Sequence, residues 1–200
     1  MKSTFMPQFK NLEQLYNYQL KGLKWTADHV YNGSDFYRKL FDKAGVKPSD
    51  IKSLDDLSRL PFTTGRDLKE GYPLPLLSVP EKDVVRIHAS SGTTGKRKVL
   101  SYTQNDLDVW FDMFARCYEM AGLTKDDRVQ IAVGYGVWTA GMGFQLGCER
   151  LGAMAIPIGP GNIDMQCQFL VDMQSTVFCC TASMALLMAV EVNTLSLIHI

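Results

Sequence analysis

The chain has 200 residues, of which 46% are hydrophobic, so it is long enough to bury the core of one domain. Lysine plus arginine equals aspartate plus glutamate at 21 each, and this balance excludes a strong overall field that would attract nucleic acid or an anionic membrane. The five cysteines show no Cys-x-x-Cys spacing, which argues against a disulfide framework and against a zinc site. We therefore expect small-molecule partners, no metal-ligating residues, and a reducing, cytoplasmic setting.

The first part of the chain has the patterns of helices. Apolar residues recur at helical spacing over residues 11–33, and a serine then opens and a glycine closes a second helix over residues 34–45. Two later segments, 53–56 and 64–67, begin with Ser or Thr followed by acidic residues, which is typical of helix starts. The sequence thus predicts a mostly helical segment over residues 1–80.

A loop rich in hydroxyl groups, glycines and cations follows at residues 88–98, between two short runs of strand-forming residues. Gly92 and Gly95 let the backbone turn with positive φ, so that consecutive N–H groups can converge on one anion. A Walker loop has wider glycine spacing and runs into a helix, so this loop is not one. The pattern predicts a β-hairpin whose loop binds phosphate, with a solvated Gly/Ser/Thr turn as the alternative of equal weight on composition alone.

After the hairpin, helical and strand-like segments alternate. A capping box at residues 103–106 opens a helix that ends near Gly122. The following strand-like segments are 129–133, 153–158 and 176–180, and the helical ones are 142–151, 163–173 and 183–192. This alternation predicts right-handed βαβ units. The fold class is therefore α/β, with a mostly parallel sheet flanked by helices and a helical N-terminal region.

Two uncharged stretches, 129–148 and 173–190, approach the length of a membrane span, and Gly143-x-x-x-Gly147 would suit a membrane dimerisation face. Each stretch also divides into a strand, a turn of small residues and a helix. A parallel sheet that is buried on both faces produces this division, so we favour the sheet over the membrane.

The glycines after the first parallel strand suggest a ligand site. Gly134 and Gly136 are followed next by Gly141, so the dinucleotide-binding spacing Gly-x-Gly-x-x-Gly is not met. Ligands of open α/β sheets bind beyond the carboxyl ends of the strands, which predicts that residues 135–140 and 159–162 line a pocket. A glycine-rich turn with an exposed aromatic pair is the alternative.

The hairpin loop also carries a family resemblance. It reads Ser90-Ser91-Gly92-Thr93-Thr94-Gly95-Lys96. With residues 101–106, this motif resembles the phosphate loop of the adenylate-forming (AMP-binding) enzymes, and most of all the phenylacetate-CoA ligase family. Segments 61–64 and 149–153 are similar to the same family, and the resemblance runs from near the N-terminus to about residue 192.

The resemblance implies that residues 1–192 form an incomplete N-terminal AMP-binding domain. Within it, residues 1–80 would be the helical lead-in, and residues 81–192 would hold the phosphate-loop hairpin and the βαβ units. Members of the family run to about twice this length and carry a C-terminal domain with the adenylation lysine, which is absent here. Residues 193–200 do not resemble the family, and we expect them to be foreign to it.

The activity that the resemblance implies is a two-step ligation. A carboxylate attacks the α-phosphorus of ATP, with Mg²⁺ on the departing pyrophosphate, and coenzyme A then displaces AMP from the acyl-adenylate. The acid would be an aryl or arylacetic acid similar to phenylacetate, and the complete enzyme would be a candidate homodimer. The alternatives are an enzyme that loads an acyl group or amino acid onto a carrier protein, and a non-catalytic nucleotide-binding fragment. We expect the 200-residue chain to bind nucleotide weakly and not to turn over.

The resemblance also implies roles for the loop residues. Hydroxyl groups would donate to the β- and γ-phosphates of ATP, glycines would shape the loop, and a lysine would supply the catalytic charge. These residues are Ser90, Ser91, Thr93 and Thr94 for the hydroxyls, Gly92 and Gly95 for the shape, and Lys96 for the charge, with Lys98 as a secondary candidate. Many relatives carry proline where Arg97 stands, so we expect a less restrained loop in this chain.

For the acid, the resemblance implies a pocket built by residues 133–141. Trp138 stands at an aromatic lid position, whereas Val133 replaces an aromatic wall, which changes the shape of the cavity but keeps it apolar. The acid-binding residues that it implies are Val133, Tyr135, Gly136 and Trp138.

Overall fold

The computed structural model describes residues 4–93 and 95–194 of the chain. These residues form two compact units, one of residues 7–104 and one of residues 105–194 with residues 4–6. The first unit is mostly helical and contains one β-hairpin, whereas the second is a parallel sheet with helices. The predicted α/β class is therefore confirmed. The division at residue 80 stays a prediction, and the hairpin lies in the same unit as the helices that precede it.

The two N-terminal helices begin and end where their capping residues require. Helix α1 spans Leu12–Gly33, and the side chain of Asn11 accepts a hydrogen bond from the backbone N–H of Gln14 at its start. Helix α2 spans Asp35–Ala44 and ends at Gly45, whose φ of 66° closes the last turn in the left-handed region. Both predicted helices are confirmed.

The core of this unit lies where α1 meets α2 and the segment that follows. Ala27, Phe41 and Ile51 are buried and form one cluster. The partly buried residues packed against it are Leu20, Leu23, Val30, Tyr31, Tyr37 and Leu60. The predicted apolar stripe of α1 thus faces the inside of the unit from Leu20 to Val30, whereas Leu12 and Tyr16 at its start are exposed.

The two predicted helix starts that follow have different outcomes. Residues 64–67 open a short α-helix, α3, which spans Gly65–Glu70. Residues 53–56 open a 3₁₀ segment over Leu54–Arg59 instead of an α-helix, although the capping box is present. The segment ends where Leu60 adopts extended backbone before Pro61. Two further 3₁₀ turns span Pro48–Asp50 and Glu81–Asp83.

The predicted hairpin is confirmed. Strand β1 spans Arg86–Ala89 and pairs antiparallel with strand β2, Val99–Tyr102, so that Ala89 lies opposite Val99. On the buried face of the hairpin, the ring of His88 meets the ring of Tyr102 edge to face, with 5.2 Å between their centroids.

The second unit has the predicted alternation of helix and strand. Its elements are α4 (Gln104–Met120), β3 (Arg128–Ile131), α5 (Ala140–Leu151), β4 (Met154–Ile156), α6 (Ile163–Asp172), β5 (Val177–Cys179) and α7 (Ala182–Thr194). The strands form a parallel sheet in the order β4-β3-β5, so β3 lies in the middle. Strand β3 ends two residues earlier than predicted, and β4 and β5 are shorter than predicted at both ends.

The central strand is buried on both faces. Val129 and Ile131 have no exposed surface, and they form the core of this unit with Cys148 of α5 and Tyr118 of α4. Burial raises the pKa of the Cys148 thiol to about 12, so this group is a neutral, packed side chain at pH 7.

Helices α4 and α5 approach each other closely at the glycines of α5. A Cβ atom on Gly147 would lie 3.0 Å from the carbonyl carbon of Phe114, and the ring of Phe114 meets the ring of Phe144 edge to face with 5.5 Å between centroids. Gly143 also lies against the ring of Phe114. The Gly143-x-x-x-Gly147 face is therefore used for packing on α4. In the part of the chain that the structure describes, no helix is long and apolar enough to span a membrane.

Gly147→Ala is expected to lower the free energy of unfolding by roughly 1–3 kcal/mol, because its Cβ would press on helix backbone that cannot give way. The matched control is Gly22→Ala on α1, where a Cβ meets nothing within 4 Å. A helical Gly→Ala change at such a site is neutral or stabilising by up to about 1 kcal/mol. Urea unfolding followed by circular dichroism measures both variants, and equal stabilities would contradict the close packing of α4 on α5.

Candidate functional site

The loop between β1 and β2 is closed at its base by two hydrogen bonds. The backbone N–H of Ser90 donates to the carbonyl of Lys98 over 3.0 Å, and the N–H of Lys98 donates to the hydroxyl oxygen of Ser90, also over 3.0 Å. A hydroxyl group can accept and donate at once, so the Ser90 hydrogen is left for a ligand. The hairpin thus fixes the ends of the loop.

The tip of the loop turns at its two glycines. Gly92 has a φ of 74° and Gly95 a φ of 109°, and the N–H of Gly95 donates to the carbonyl of Gly92 over 3.2 Å. Ser91 and Thr93 are exposed, and within residues 4–93 and 95–194 their side chains make no hydrogen bond. Two hydroxyl donors are therefore presented to solvent, as a phosphate site requires. Thr94, which the resemblance also implicates, lies outside the described residues.

Arg97 makes a contact across the loop, and the expectation of a less restrained loop stays a prediction. Its guanidinium donates to the carbonyl of Ser90 over 3.1 Å, across the loop. Its side chain also lies against Gly92, because a Cβ on Gly92 would come within 2.7 Å of Cγ of Arg97. A proline ring would stiffen the chain at its own position, whereas the side chain of Arg97 links the two sides of the loop.

The two lysines of the loop occupy different positions. The ammonium of Lys96 lies 5.8 Å from the centroid of the Tyr72 ring, at the distance of a cation–π contact. The side chain of Lys98 lies against α3, where a Cβ on Gly65 would be 2.8 Å from its ammonium nitrogen. Both lysines are exposed, with Lys96 beside the ring of Tyr72 and Lys98 beside α3.

A second concave site lies in the other compact unit, at the carboxyl ends of the three parallel strands. It is a pocket of about 290 Å³. Its lining consists of Ala132, Val133, Gly134, Trp138, Pro160, Gly161, Thr181, Ser183, Met184 and Leu187. The pocket lies where the topology of the sheet predicts it, and two of the implied acid-binding residues, Val133 and Trp138, are in its lining.

Tyr135 and Gly136 do not line this pocket. The ring of Tyr135 packs against Gly141, so that a Cβ there would lie 2.9 Å from the ring, and its hydroxyl is buried without a hydrogen-bond partner in the described residues. Burial raises the pKa of this phenol. Gly136 makes a turn with a φ of 92°. Roles for Tyr135 and Gly136 in binding an acid stay predictions.

The start of α7 supplies a wall of the pocket that the sequence did not indicate. The hydroxyl of Thr181 accepts a hydrogen bond from the N–H of Met184 over 3.3 Å and lies 3.0 Å from the hydroxyl of Ser183. Met184 and Leu187 add apolar surface. Ligands of parallel sheets bind beyond the carboxyl ends of the strands. Applied to β5, this rule predicts that the segment after it also lines the pocket.

Residues 4–93 and 95–194 contain no group of three or more His, Cys, Asp or Glu side chains that could hold a metal ion.

Solved structures of known proteins share this fold. The chain is similar to 2-hydroxyisobutyryl-CoA ligase in complex with 2-HIB-AMP and CoA, with a TM-score of 0.84 and 27% identity over 92% of this chain and 41% of that chain. The postadenylation state of the same ligase gives a TM-score of 0.81 at 25% identity, over 94% of this chain and 43% of that chain. The fold is thus that of part of an adenylate-forming CoA ligase domain.

Curated relatives identify the family within this class of ligases. The chain is 44% identical over 176 residues to the phenylacetate-coenzyme A ligase of Escherichia coli (strain K12), and 41% identical over 183 residues to that of Pseudomonas putida. The enzyme of Thermus thermophilus is 40% identical over 189 residues. These matches cover 88–94% of the chain but only 40–42% of the relatives' length. The chain belongs to the phenylacetate-CoA ligase family, and it spans about two fifths of these relatives. No family model matches it.

Arg97→Ala is expected to speed amide hydrogen exchange at Ser90 and Lys98, because it removes the cross-loop hydrogen bond. The increase should be about two- to tenfold, the range that follows from the loss of a hydrogen bond worth roughly 0.5–1.5 kcal/mol. Lys82→Ala removes the same charge from an exposed 3₁₀ turn of the same unit and should leave both amides unchanged. Exchange measured by NMR at equal rates in all three proteins would show that Arg97 does not restrain the loop.

Proposed function

We propose that this chain forms part of an ATP-dependent ligase that activates an aryl or arylacetic acid as its acyl-adenylate and then transfers the acyl group to coenzyme A. The observation that carries the proposal is the loop at residues 90–98, with its exposed hydroxyls, left-handed glycines and terminal lysine, in a chain of this family. The acyl-adenylate and CoA held by the similar 2-hydroxyisobutyryl-CoA ligase support both steps of the reaction.

The first step needs charge neutralisation and alignment rather than a nucleophile from the protein. The carboxylate of the acid attacks the α-phosphorus of ATP, and the bond to pyrophosphate breaks. The loop would bind the β- and γ-phosphates, with Ser91 and Thr93 donating hydroxyl hydrogens and Lys96 balancing the charge that builds on the leaving group. In the second step the sulfur of CoA attacks the acyl carbonyl, and AMP leaves.

Lys96 can leave its position over Tyr72 when phosphate arrives. A cation–π contact at an exposed site is worth about 0.5–1 kcal/mol, whereas a hydrogen bond to a charged oxygen is worth roughly 1.5–3 kcal/mol. The side chain is therefore expected to exchange the ring for the ligand. Mg²⁺ bound to the phosphate oxygens would neutralise further charge on the departing pyrophosphate.

The pocket at the carboxyl ends of the parallel strands is the proposed site of the acid. Its volume of about 290 Å³ is at the lower limit of ligand clefts, which run from roughly 300 to 1,000 Å³, so it suits a small acid better than a long acyl chain. The indole of Trp138 and the side chains of Val133, Met184 and Leu187 give an apolar lining that suits an aromatic ring.

A chimera tests this function. Residues 1–192 of this chain are joined to the remaining part of the Escherichia coli relative, and ATP–pyrophosphate exchange is measured with phenylacetate and a panel of other acids. Exchange that depends on an aryl or arylacetic acid, followed by thioester formation with CoA, is the expected result. A folded chimera that exchanges only with amino acids, or that transfers the acyl group to a carrier protein and not to CoA, would contradict the proposal.

In the same chimera, Lys96→Ala is expected to slow acid-dependent pyrophosphate exchange by about 10- to 100-fold, which corresponds to a lost charge-assisted hydrogen bond of roughly 1.5–3 kcal/mol. Transfer from preformed phenylacetyl-adenylate to CoA should be affected less, because pyrophosphate has already left. Lys82→Ala serves as the charge control and should leave both half-reactions unchanged. Equal losses in the two half-reactions of Lys96→Ala would contradict its role at the leaving group.

A further inference from the structure

Two glutamine side chains are completely buried in the unit that holds the parallel sheet. Gln130 lies on the central strand β3 and Gln166 lies on helix α6, and neither has exposed surface. Glutamine is mostly found at protein surfaces, and an amide away from water must be fully hydrogen-bonded to avoid a large desolvation cost. The hydrogen bonds of these two amides therefore explain how both side chains can be buried.

The amide of Gln130 connects β3 to α6. Its nitrogen donates to the side-chain oxygen of Gln166 over 2.7 Å and to the backbone carbonyl of Gln166 over 3.0 Å. Its oxygen accepts a hydrogen bond from the hydroxyl of Ser175 over 2.9 Å. Every polar group of this amide is thus used, which also fixes its orientation.

The amide of Gln166 connects α6 to the loop that follows β4. Its nitrogen donates to the carbonyl of Gly159 over 2.7 Å and to the carbonyl of Gly161 over 3.3 Å. Its oxygen is the one that Gln130 contacts, so this second amide is also fully paired. The two side chains form one path of hydrogen bonds from the centre of the sheet to two carbonyls of a single loop.

That loop has a backbone that needs support. Gly159, Gly161 and Asn162 have φ angles of 85°, 76° and 49°, so three of four successive residues lie in the left-handed region. The N–H of Gly159 donates to the carbonyl of Ile131 over 2.9 Å, which attaches the start of the loop to the carboxyl end of β3. Gln166 holds the carbonyls of Gly159 and Gly161, so the peptide units on both sides of Gly159 are fixed by hydrogen bonds.

The same loop lines the pocket. Pro160 and Gly161 are part of its lining, together with residues that follow β3 and residues at the start of α7. A shift of the two carbonyls that Gln166 holds would move this side of the pocket and change its width. The hydrogen-bond path therefore ends at a wall that would contact a ligand.

We infer that Gln130 and Gln166 are positioning residues that set the width of the pocket by holding the Gly159–Gly161 loop, although neither lines the pocket itself. This inference concerns the pocket that the proposed function assigns to the acid, and its importance for acid selection rests on that proposal. The two amides act through the loop backbone and make no direct contact with a ligand.

The test compares two variants of the 200-residue chain. Gln166→Glu has nearly the same shape, but it cannot make both donor hydrogen bonds to Gly159 and Gly161, because a carboxylate donates none and a buried, protonated carboxyl donates only one. Ser175→Ala removes a hydrogen bond from the other end of the same network, on the side away from the loop. Urea unfolding gives the global stability of each variant, so that local effects can be separated from a general loss of stability.

Amide hydrogen exchange is the first readout and needs no ligand. In Gln166→Glu the N–H of Gly159 should exchange at least tenfold faster than global stability explains, whereas in Ser175→Ala it should follow global stability. Exchange at Gly159 that tracks global stability in both variants would overturn the positioning role. If Gln166→Glu does not fold, Gln130→Met, which removes the other amide, is measured in its place with the same expectation.

Phenylacetate binding, followed by the indole N–H signal of Trp138, is the second readout. Gln166→Glu should weaken binding about tenfold or more, and Ser175→Ala should weaken it less than threefold. Equal affinities in the three proteins would overturn the link between the loop and the pocket. If the unmodified chain shows no phenylacetate-dependent shift, the acid assignment of the pocket fails, and the positioning inference is still decided by the exchange at Gly159.

Discussion

The two hydrogen bonds between Ser90 and Lys98 are the constraint on which the proposed chemistry depends. They continue the pairing of β1 and β2 into the loop, so the residues between them must reverse direction within a short span. Left-handed glycines make that reversal possible, and the hydroxyls of Ser91 and Thr93 are left facing solvent. A loop with free ends would have to be ordered by its ligand, which would weaken phosphate binding.

Arg97 adds a second contact that supports this constraint. A guanidinium that reaches the carbonyl of Ser90 replaces local stiffness with a contact across the loop, and it adds a positive charge beside the proposed phosphate site. The contact is exposed, so it contributes modestly to global stability. Its effect is on the local freedom of the loop, which is the property that matters for binding a flexible triphosphate.

The parallel sheet provides a second, separate scaffold. Its strands end at a common edge, and the pocket forms there because three loops and the start of α7 meet around one space. Apolar packing of β3 against α4 and α5 stabilises the sheet, whereas the paired amides of Gln130 and Gln166 determine where one loop lies. Hydrophobic burial is non-directional and hydrogen bonds are directional, so the fold uses the first for stability and the second for the shape of the site.

The sequence predicted the elements that local rules determine. Asn11 and Gly45 mark helix ends through side-chain capping and a left-handed turn, and the alternation after Gly122 follows from buried strands between amphipathic helices. The loop residues were identifiable because their composition is unusual and because the motif resembles a known family. The stop at Leu60 is also a local effect, but the capping box at Ser53 gave the stronger signal and suggested an α-helix.

What the sequence did not predict depends on contacts between distant positions. Gln130 and Gln166 are 36 residues apart and resemble ordinary polar residues in the sequence, since nothing local shows that both are buried. The cross-loop contact of Arg97 could not be anticipated from a missing proline. Tyr135 follows a strand next to the pocket, yet its ring packs against Gly141. The direction of this side chain depends on the surrounding core and not on the local sequence.

The most direct test of the central claim is an NMR titration of the 200-residue chain with pyrophosphate, following the backbone amides of the loop. The account predicts saturable shifts at Ser91, Gly92, Thr93, Gly95 and Lys96, with little change in β1 and β2 and with weaker binding in Lys96→Ala. Loop amides that stay unmoved in a folded sample, or shifts that are equal in Lys96→Ala, would contradict the claim that this hairpin loop binds phosphate.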